Sequence, residues 1–425
     1  MRRSRIPEVA TRHTSRAINQ QVILNLLLAH EPVSRAQLAR RLGMQRSAVS
    51  RIVQDLIEAG LVREGLAGEG ERGRKPTLLH LDSRGRCAVA VDVRRTRTFV
   101  VLTDLVGHEL SPVRSFLTER EPLELISHIS TEVLRVLSEH PEAGRCQGVG
   151  VAFPGMLDKA GSTVVHAPAL GWRNVPFKAP LSEALGLPVE MENSGKACAL
   201  AQVWKAGGDH LPGGVVFVSV SDGVGIGLVV GGELLRGRHN VAGEFGHVPL
   251  SIEGPPCACG ATGCWEAYIS NLATLSRYVG KPVLARQPLP PEIESLTVED
   301  VVRHAREGDA RAMMALHTTA RYLGLGLASI VNAFDPDRIC IGGEITAGWD
   351  LIEAAVRSGL AERALVATAA DAEIVLIAAE EHPRLKGAAA LVGMPVFAPD
   401  RAARESAGRR RASRRPESGP EAAAR

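Results

Sequence analysis

The sequence predicts an α/β protein in two parts, a small winged helix-turn-helix followed by a larger two-lobed body of mixed strands and helices. Three observations carry that prediction. Over residues 14–82 the apolar residues fall at helical spacing three times in succession, then in two short strand-like runs. Over residues 83–399 β-branched apolar runs alternate with helical stretches, the pattern of sheets covered by helices. The charge changes sign at the same boundary: residues 1–82 carry +6 and residues 83–399 carry −7, while residues 400–425 carry +4. A basic head on an acidic body directs only the head toward a polyanion.

Residues 1–13 are polar and Arg-rich without periodicity and are expected to be disordered. From Arg16 to Ala29, Ile18, Val22, Ile23, Leu26 and Leu27 follow helical spacing, and Pro32 stops the helix. Ser34-Arg-Ala-Gln37 is a capping box that starts a second short helix, which turns Leu38 and Leu42 inward and breaks at Gly43. A third helix follows from about Gln45 to Ala59, with Val49, Ile52, Val53, Leu56 and Ile57 on one face and Gly60 as its C-terminal stop. Leu61–Glu64 and Thr77–Leu81 flank a Gly-rich charged loop and read as a hairpin. The third helix offers Gln45, Arg46, Ser47, Ser50 and Arg51 away from its apolar face, groups suited to base edges and phosphates of double-stranded DNA. The loop tip carries Arg74 and Lys75, cations that a narrow minor groove attracts. The competing reading is a three-helix interaction module that binds no nucleic acid.

In the body, Cys87–Val93, Thr98–Leu105, Gly148–Phe153, Val215–Val220, Ile226–Val230 and Arg338–Ile341 read as strands, and Leu123–Leu137 as a helix. Residues 400–425, with Arg409, Arg410 and Arg411, lack periodicity and are expected to be disordered. A chain with 45% hydrophobic and 23% charged residues is globular rather than disordered. Its apolar runs, such as Val22–Ala29, fall well short of a membrane span, and no signal core follows the basic start. The expected location is the cytoplasm, at the nucleoid, with no membrane partner.

Two motifs carry chemistry. His247 with Cys257-Ala-Cys259-Gly-Ala-Thr-Gly-Cys264 supplies one imidazole and three thiolates, a set that suits one tetrahedral structural Zn²⁺ per chain. The other four cysteines, Cys87, Cys146, Cys198 and Cys340, are isolated from one another in sequence and read as core. Ser221-Asp-Gly223-Val-Gly225-Ile-Gly227, and Gly342-Gly343 after a strand, could bring backbone amides to an oxyanion, a weak signal in each case.

Taken together, Gly243-Glu244-Phe-Gly246-His247 and Pro256-Cys257-Ala-Cys259-Gly-Ala-Thr-Gly263-Cys264-Trp-Glu266 resemble the signature and zinc motif of the ROK family of repressors, open reading frames and kinases. The resemblance runs from about Arg16 to Pro395, and the N-terminal winged helix is that of the repressor branch. It implies an actin-like, hexokinase-type fold with a sugar held between two lobes. The family's sugar-binding positions fall here on Asn193, Glu244, His247 and Glu266, with His247 also among the zinc ligands.

Two motifs depart from those of the family's kinases. Ser194 stands where they have the aspartate that takes a proton from the attacking hydroxyl, and a serine cannot act as that base. Their first phosphate loop reads Asp-x-Gly-Gly-Thr, whereas this chain has Asp92-Val-Arg94-Arg95-Thr96. Phosphoryl transfer depends on positioning and charge stabilisation, so losing both implies no catalysis. The expectation is a sugar-responsive repressor that binds a palindromic operator as a homodimer or homotetramer. Its rivals are an active sugar kinase with an appended DNA-binding domain and a DNA-binding protein whose body only oligomerises.

Overall fold

The computed structural model describes residues 12–67, 77–205, 214–282, 290–366 and 372–397. The chain divides into two compact units, one ending at Asp82 and taking in the chain from Met394, the other spanning Ser83–Gly393. Of the ends expected to be disordered, residues 1–13 and 400–425, residues 1–11 and 400–425 lie outside the described residues, whereas Arg12 and His13 are helical, ahead of the apolar periodicity that begins at Ile18.

The first unit opens with α1 (Arg12–His30), α2 (Arg35–Leu42) and α3 (Arg46–Glu58). Both bonds of the Ser34–Gln37 capping box form, and Gly43 takes the left-handed conformation that ends α2. Its sheet has strands β1 (Val33–Ser34), β2 (Val62–Ala67) and β3 (Thr77–Leu81), in the order β1-β3-β2 with antiparallel pairing. Ile23, Leu24, Leu27, Leu38, Val49, Val53, Leu56 and Leu79 close a core between helices and sheet. The two-residue strand β1 carries no alternation of its own and was not expected.

In the second unit, the first five-stranded sheet contains β4 (Arg86–Val93), β5 (Arg97–Asp104), β6 (Arg114–Leu117), β7 (Arg145–Phe153) and, after three short strands, β11 (Val189–Asn193). The short strands β8 (Met156–Leu157), β9 (Thr163–Ala167) and β10 (Trp172–Pro176) form an antiparallel sheet of their own. The second five-stranded sheet contains β12 (Val215–Val220), β13 (Val224–Val230), β14 (Glu233–Leu234), β15 (Arg338–Gly342) and β16 (Glu373–Ile377). Their orders are β11-β7-β4-β5-β6 and β14-β13-β12-β15-β16. In each, the first strand sits at the centre, an antiparallel meander extends to one side, and two parallel strands extend to the other. The same small topology is therefore built twice, as expected of two lobes.

Helices α4 (Pro122–Glu139) and α5 (Lys178–Leu185) belong with the first sheet, and α6 (Ser194–Lys205) follows β11 directly. Next come α7 (Glu266–Ile269), α8 (Asn271–Val279), α9 (Pro291–Glu294), α10 (Val298–Arg306), α11 (Ala310–Phe334), α12 (Trp349–Arg363) and α13 (Pro383–Val396). Helix α11 forms the centre of the second lobe's core, burying Leu316, Leu323, Leu327, Ile330 and Val331 against Val218, Ile226 and Ile341 of the sheet. Trp265, 1% exposed, lies against α11 and donates its indole N–H to Tyr322 O at 2.9 Å.

A Cβ on Gly326 of α11 would fall inside the Trp265 indole. Alanine in a helix interior ordinarily gains about 1 kcal/mol over glycine. Here the ring cannot withdraw without breaking its bond to Tyr322 O, so overpacking at about 1–3 kcal/mol should win. Gly326→Ala is therefore expected to lower the urea midpoint of the second unit. A midpoint at or above that of the parent chain would show that the indole moves freely.

Candidate functional site

The exposed face of α3 comes first along the chain. Val49, Ile52, Val53 and Leu56 are buried, while Gln45, Arg46, Ser47, Ser50 and Arg51 are exposed on the other side. The five positions expected to meet DNA thus share one free surface, beginning at the N-terminus of α3. Ile57, expected inward, is only half-buried. Arg74 and Lys75 lie outside the described residues.

The second unit contains a cavity of about 500 Å³ whose lining includes Asn193, Ser194, Glu244, His247 and Glu266. The carboxyl ends of several strands open into it. Arg94 and Arg95 follow β4, Pro154 and Gly155 follow β7, and Asn193 ends β11. This is where an α/β sheet exposes its loops to a ligand.

Asn193 is 9% exposed, and both ends of its carboxamide have partners. Its Nδ2 donates to Gly155 O at 2.9 Å, and its Oδ1 accepts from the amides of Gly195 and Lys196 at 2.9 and 3.2 Å. It therefore caps α6 while facing the cavity. Glu266 is also engaged: Oε2 accepts from the Val224 amide at 2.9 Å, and Oε1 lies 3.5 Å from Cys257 Sγ. Burial pushes the Glu244 carboxyl above its ordinary range, while the charges of His247 and Lys196 pull it back.

Where the family's kinases have a glycine loop, this chain has an ion pair. Arg94 Nε lies 2.6 Å from Asp92 Oδ2, and the Asp92 side chain is fully buried. The same guanidinium lies over the Phe99 ring, 4.4 Å from its centroid. Asp92 Oδ1 is buried and has no hydrogen-bond partner among the described residues. Arg95, Asp222 and Arg384 line the cavity beside this pair, and Arg384 donates to Ser219 Oγ at 3.2 Å.

Two groups here escaped sequence reasoning. Lys196 is 1% exposed and donates to Asn240 O at 2.6 Å and to Asn240 Oδ1 at 3.0 Å. Burial lowers its pKa, and Glu192 and Glu244 oppose that shift. Its spacing of three from Asn193 at a helix start was the available signal. Arg384, at the start of α13, has no local motif that could have revealed it. The glycine motifs also have a packing role. A Cβ on Gly227 would meet Ala199 and Gly195 of α6, one on Gly195 would meet Gly225, and one on Gly343 would meet Val220 O. These residues let α6 and β15 approach their neighbours backbone to backbone.

The cysteine loop lies next to the cavity. The donor atoms of His247, Cys257, Cys259 and Cys264 all lie within 4.8 Å of one another. Cys259 Sγ and Cys264 Sγ are 3.7 Å apart, and His247 Nδ1 is 3.7 Å from Cys257 Sγ. A tetrahedral ion with metal–sulfur bonds of about 2.3 Å spaces its sulfurs about 3.8 Å apart, so the cluster fits a metal ion. Gly263, with φ of +70°, sits where a Cβ would collide with Ser251 O, which explains that glycine.

Residues 88–394, nearly three-quarters of the chain, match the ROK family. The chain belongs to the ROK family. Residues 18–73 of this ROK protein match the MarR family. The xylose repressor of Bacillus subtilis (strain 168) is 29% identical over 364 residues, covering 84% of this chain and 90% of that protein. A glucokinase of Streptomyces coelicolor is 30% identical over 273 residues, covering 62% of this chain and 84% of that protein. A solved ROK family transcriptional regulator, homolog of the E. coli MLC protein, superposes with a TM-score of 0.71 at 24% identity and covers 90% of this chain and 97% of its own. The fold is accordingly a winged helix-turn-helix joined to an actin-like, hexokinase-type ROK domain.

Losing one cysteine of the cluster should cost both metal and stability, because a closed site couples binding energy to folding. Cys259→Ser is expected to drop the metal content after dialysis from about one ion per chain toward zero and to lower the melting temperature. Unchanged metal content in that variant would remove Cys259 from the site.

Proposed function

We propose that this chain is a sugar-responsive DNA-binding repressor whose kinase-type body binds a monosaccharide without phosphorylating it. The observation that carries the loss of turnover is the buried Asp92–Arg94 pair. A guanidinium occupies the position where a glycine would admit nucleotide phosphates, and it already neutralises the acid of that loop. Ser194, the first residue of α6, stands at the position of the catalytic base and is too weak a base for it. The glucokinase likeness favours a second reading, an active sugar kinase with an appended DNA-binding unit.

Residues 14–82 bind the operator and residues 83–399 bind the sugar. Glu244 and His247 offer hydrogen-bonding atoms to a polyol, while Asn193 and Glu266 divide theirs between ligand and protein. The cysteine-rich donor set and its spacing support Zn²⁺, held by His247, Cys257, Cys259 and Cys264. The ion would fix the loop and turn the His247 ring, with Nδ1 on the metal side and Nε2 left for a hydroxyl. Relatives named as xylose repressors make xylose the first sugar to test. The sugar prefers one arrangement of the body, and that arrangement suits the operator poorly, a population shift within a homodimer or homotetramer.

The decisive experiment combines a thermal-shift screen over free and phosphorylated sugars with a coupled assay of ATP consumption. A sugar is expected to raise the melting temperature of the parent chain and not of Glu244→Ala, with ATP consumption at the buffer rate. Sugar-dependent turnover would establish the kinase reading. Equal shifts in parent and variant would remove Glu244 from the sugar site.

Helix α3 and residues 68–76 should contribute differently to DNA binding. Arg51→Ala is expected to narrow the gap between operator and random DNA by about 1–3 kcal/mol, as for a base contact. Arg74→Ala should weaken both and reduce the salt slope by about one counterion. Titrations at several salt concentrations separate the two. Parent-like affinity and slope in both variants would exclude this surface.

A further inference from the structure

Cys87 and Cys146 stand 59 positions apart in the chain, and the fold makes them neighbours. They are direct partners in the parallel pairing of β4 and β7. Residues paired in this way point to the same face of a sheet from strands about 4.8 Å apart. A disulfide needs Cα atoms about 4.4–6.8 Å apart, so the backbone already satisfies that requirement. Cys87 is fully buried in the first lobe's core, while Cys146 packs against the same core and keeps part of its surface in solvent.

Neither the cavity nor the metal cluster uses this pair. β4 and β7 deliver Arg94 and Pro154 to the cavity at their carboxyl ends, whereas the cysteines sit at their amino ends. Cys87 to Val93 alone spans about 20 Å at roughly 3.3 Å per residue. Cys198 and Cys340, by contrast, are buried in the other core cluster, and burial pushes their thiols up to about 12 and about 11.

We propose that Cys87 and Cys146 form a reversible oxidation site, a half-exposed attacking thiol with a buried resolving thiol beside it, which hydroperoxides convert to a disulfide. The Cys146 thiolate attacks one peroxide oxygen; an S–O bond forms, the O–O bond breaks, and the departing oxygen leaves as water. Cys87 then attacks the sulfenic sulfur; the S–S bond forms, the S–O bond breaks, and the Cys87 proton leaves with the hydroxide as a second water. Two thiols lose two electrons and two protons, and one hydrogen peroxide is reduced to two waters. The neighbouring Cys87 thiol, with backbone groups of Gly148 and Val89, lowers the Cys146 thiol to about 7, which favours its thiolate.

The test uses the full, metal-replete chain, hydrogen peroxide at a few equivalents, and alkylation under denaturing conditions followed by intact-mass and peptide analysis. The expected product is about 2 Da lighter before alkylation, accepts two fewer alkyl groups, yields a linked Cys87–Cys146 peptide, and reverts with dithiothreitol. Cys146→Ser should yield no link, and Cys87→Ala should accumulate a dimedone-reactive sulfenic acid at Cys146. Measurement on the parent chain decides the matter even if either variant folds poorly. Oxidation confined to Cys257, Cys259 and Cys264, or Cys146 driven to sulfinic acid while Cys87 stays alkylatable, would overturn the proposal.

Discussion

The close approach of α6 to β13 is the constraint on which the ligand-facing half of the molecule depends. Gly195 lies against Gly225, and Gly227 lies against Ala199, with no room for a side chain at Gly195 or Gly227 and a tight fit at Gly225. That contact fixes the start of α6, and the start of α6 fixes the polar groups of the cavity. Asn193 caps the helix, Ser194 begins it, and Lys196 is anchored on Asn240 within its first turn. A buried ammonium that must meet two oxygens of one residue tolerates little displacement, because losing them would leave it desolvated.

The cysteine loop extends the same rigidity to the opposite wall. Glu266 connects the two, with one carboxylate oxygen on the Val224 amide in the β12–β13 turn and the other beside Cys257. His247 belongs to the His/Cys cluster and also lines the cavity. These cavity-lining residues are therefore held by backbone amides and by the cysteine cluster rather than by packing alone, which fixes their orientation.

What the sequence revealed depended on how local the determining interaction is. The first unit was legible because its signals are short-range: a capping box within four residues, a left-handed stop at Gly43, and a strand at Thr77–Leu81 whose bounds the structure repeats. Strand β1 was missed because two residues show no period. The cysteine cluster was legible because three of its ligands lie within eight residues, and their geometry suits one ion. The doubled sheet order was not legible, since parallel pairing joins strands far apart in the chain, such as β4 with β7. For the same reason, Cys87 and Cys146 read as two separate core residues. The glycines of residues 221–227 read as a weak oxyanion signal, and the position of α6 shows their packing role.

The Asp92–Arg94 pair has a consequence for the counter-charge of its loop. With glycine at the Arg94 position, the loop acid would have no such neighbour. Arg94 supplies that charge from within the chain. Its stacking on Phe99 holds it in place whether or not anything else is bound. The acid of this loop thus finds its counter-charge within its own chain, not in an occupant of the cavity.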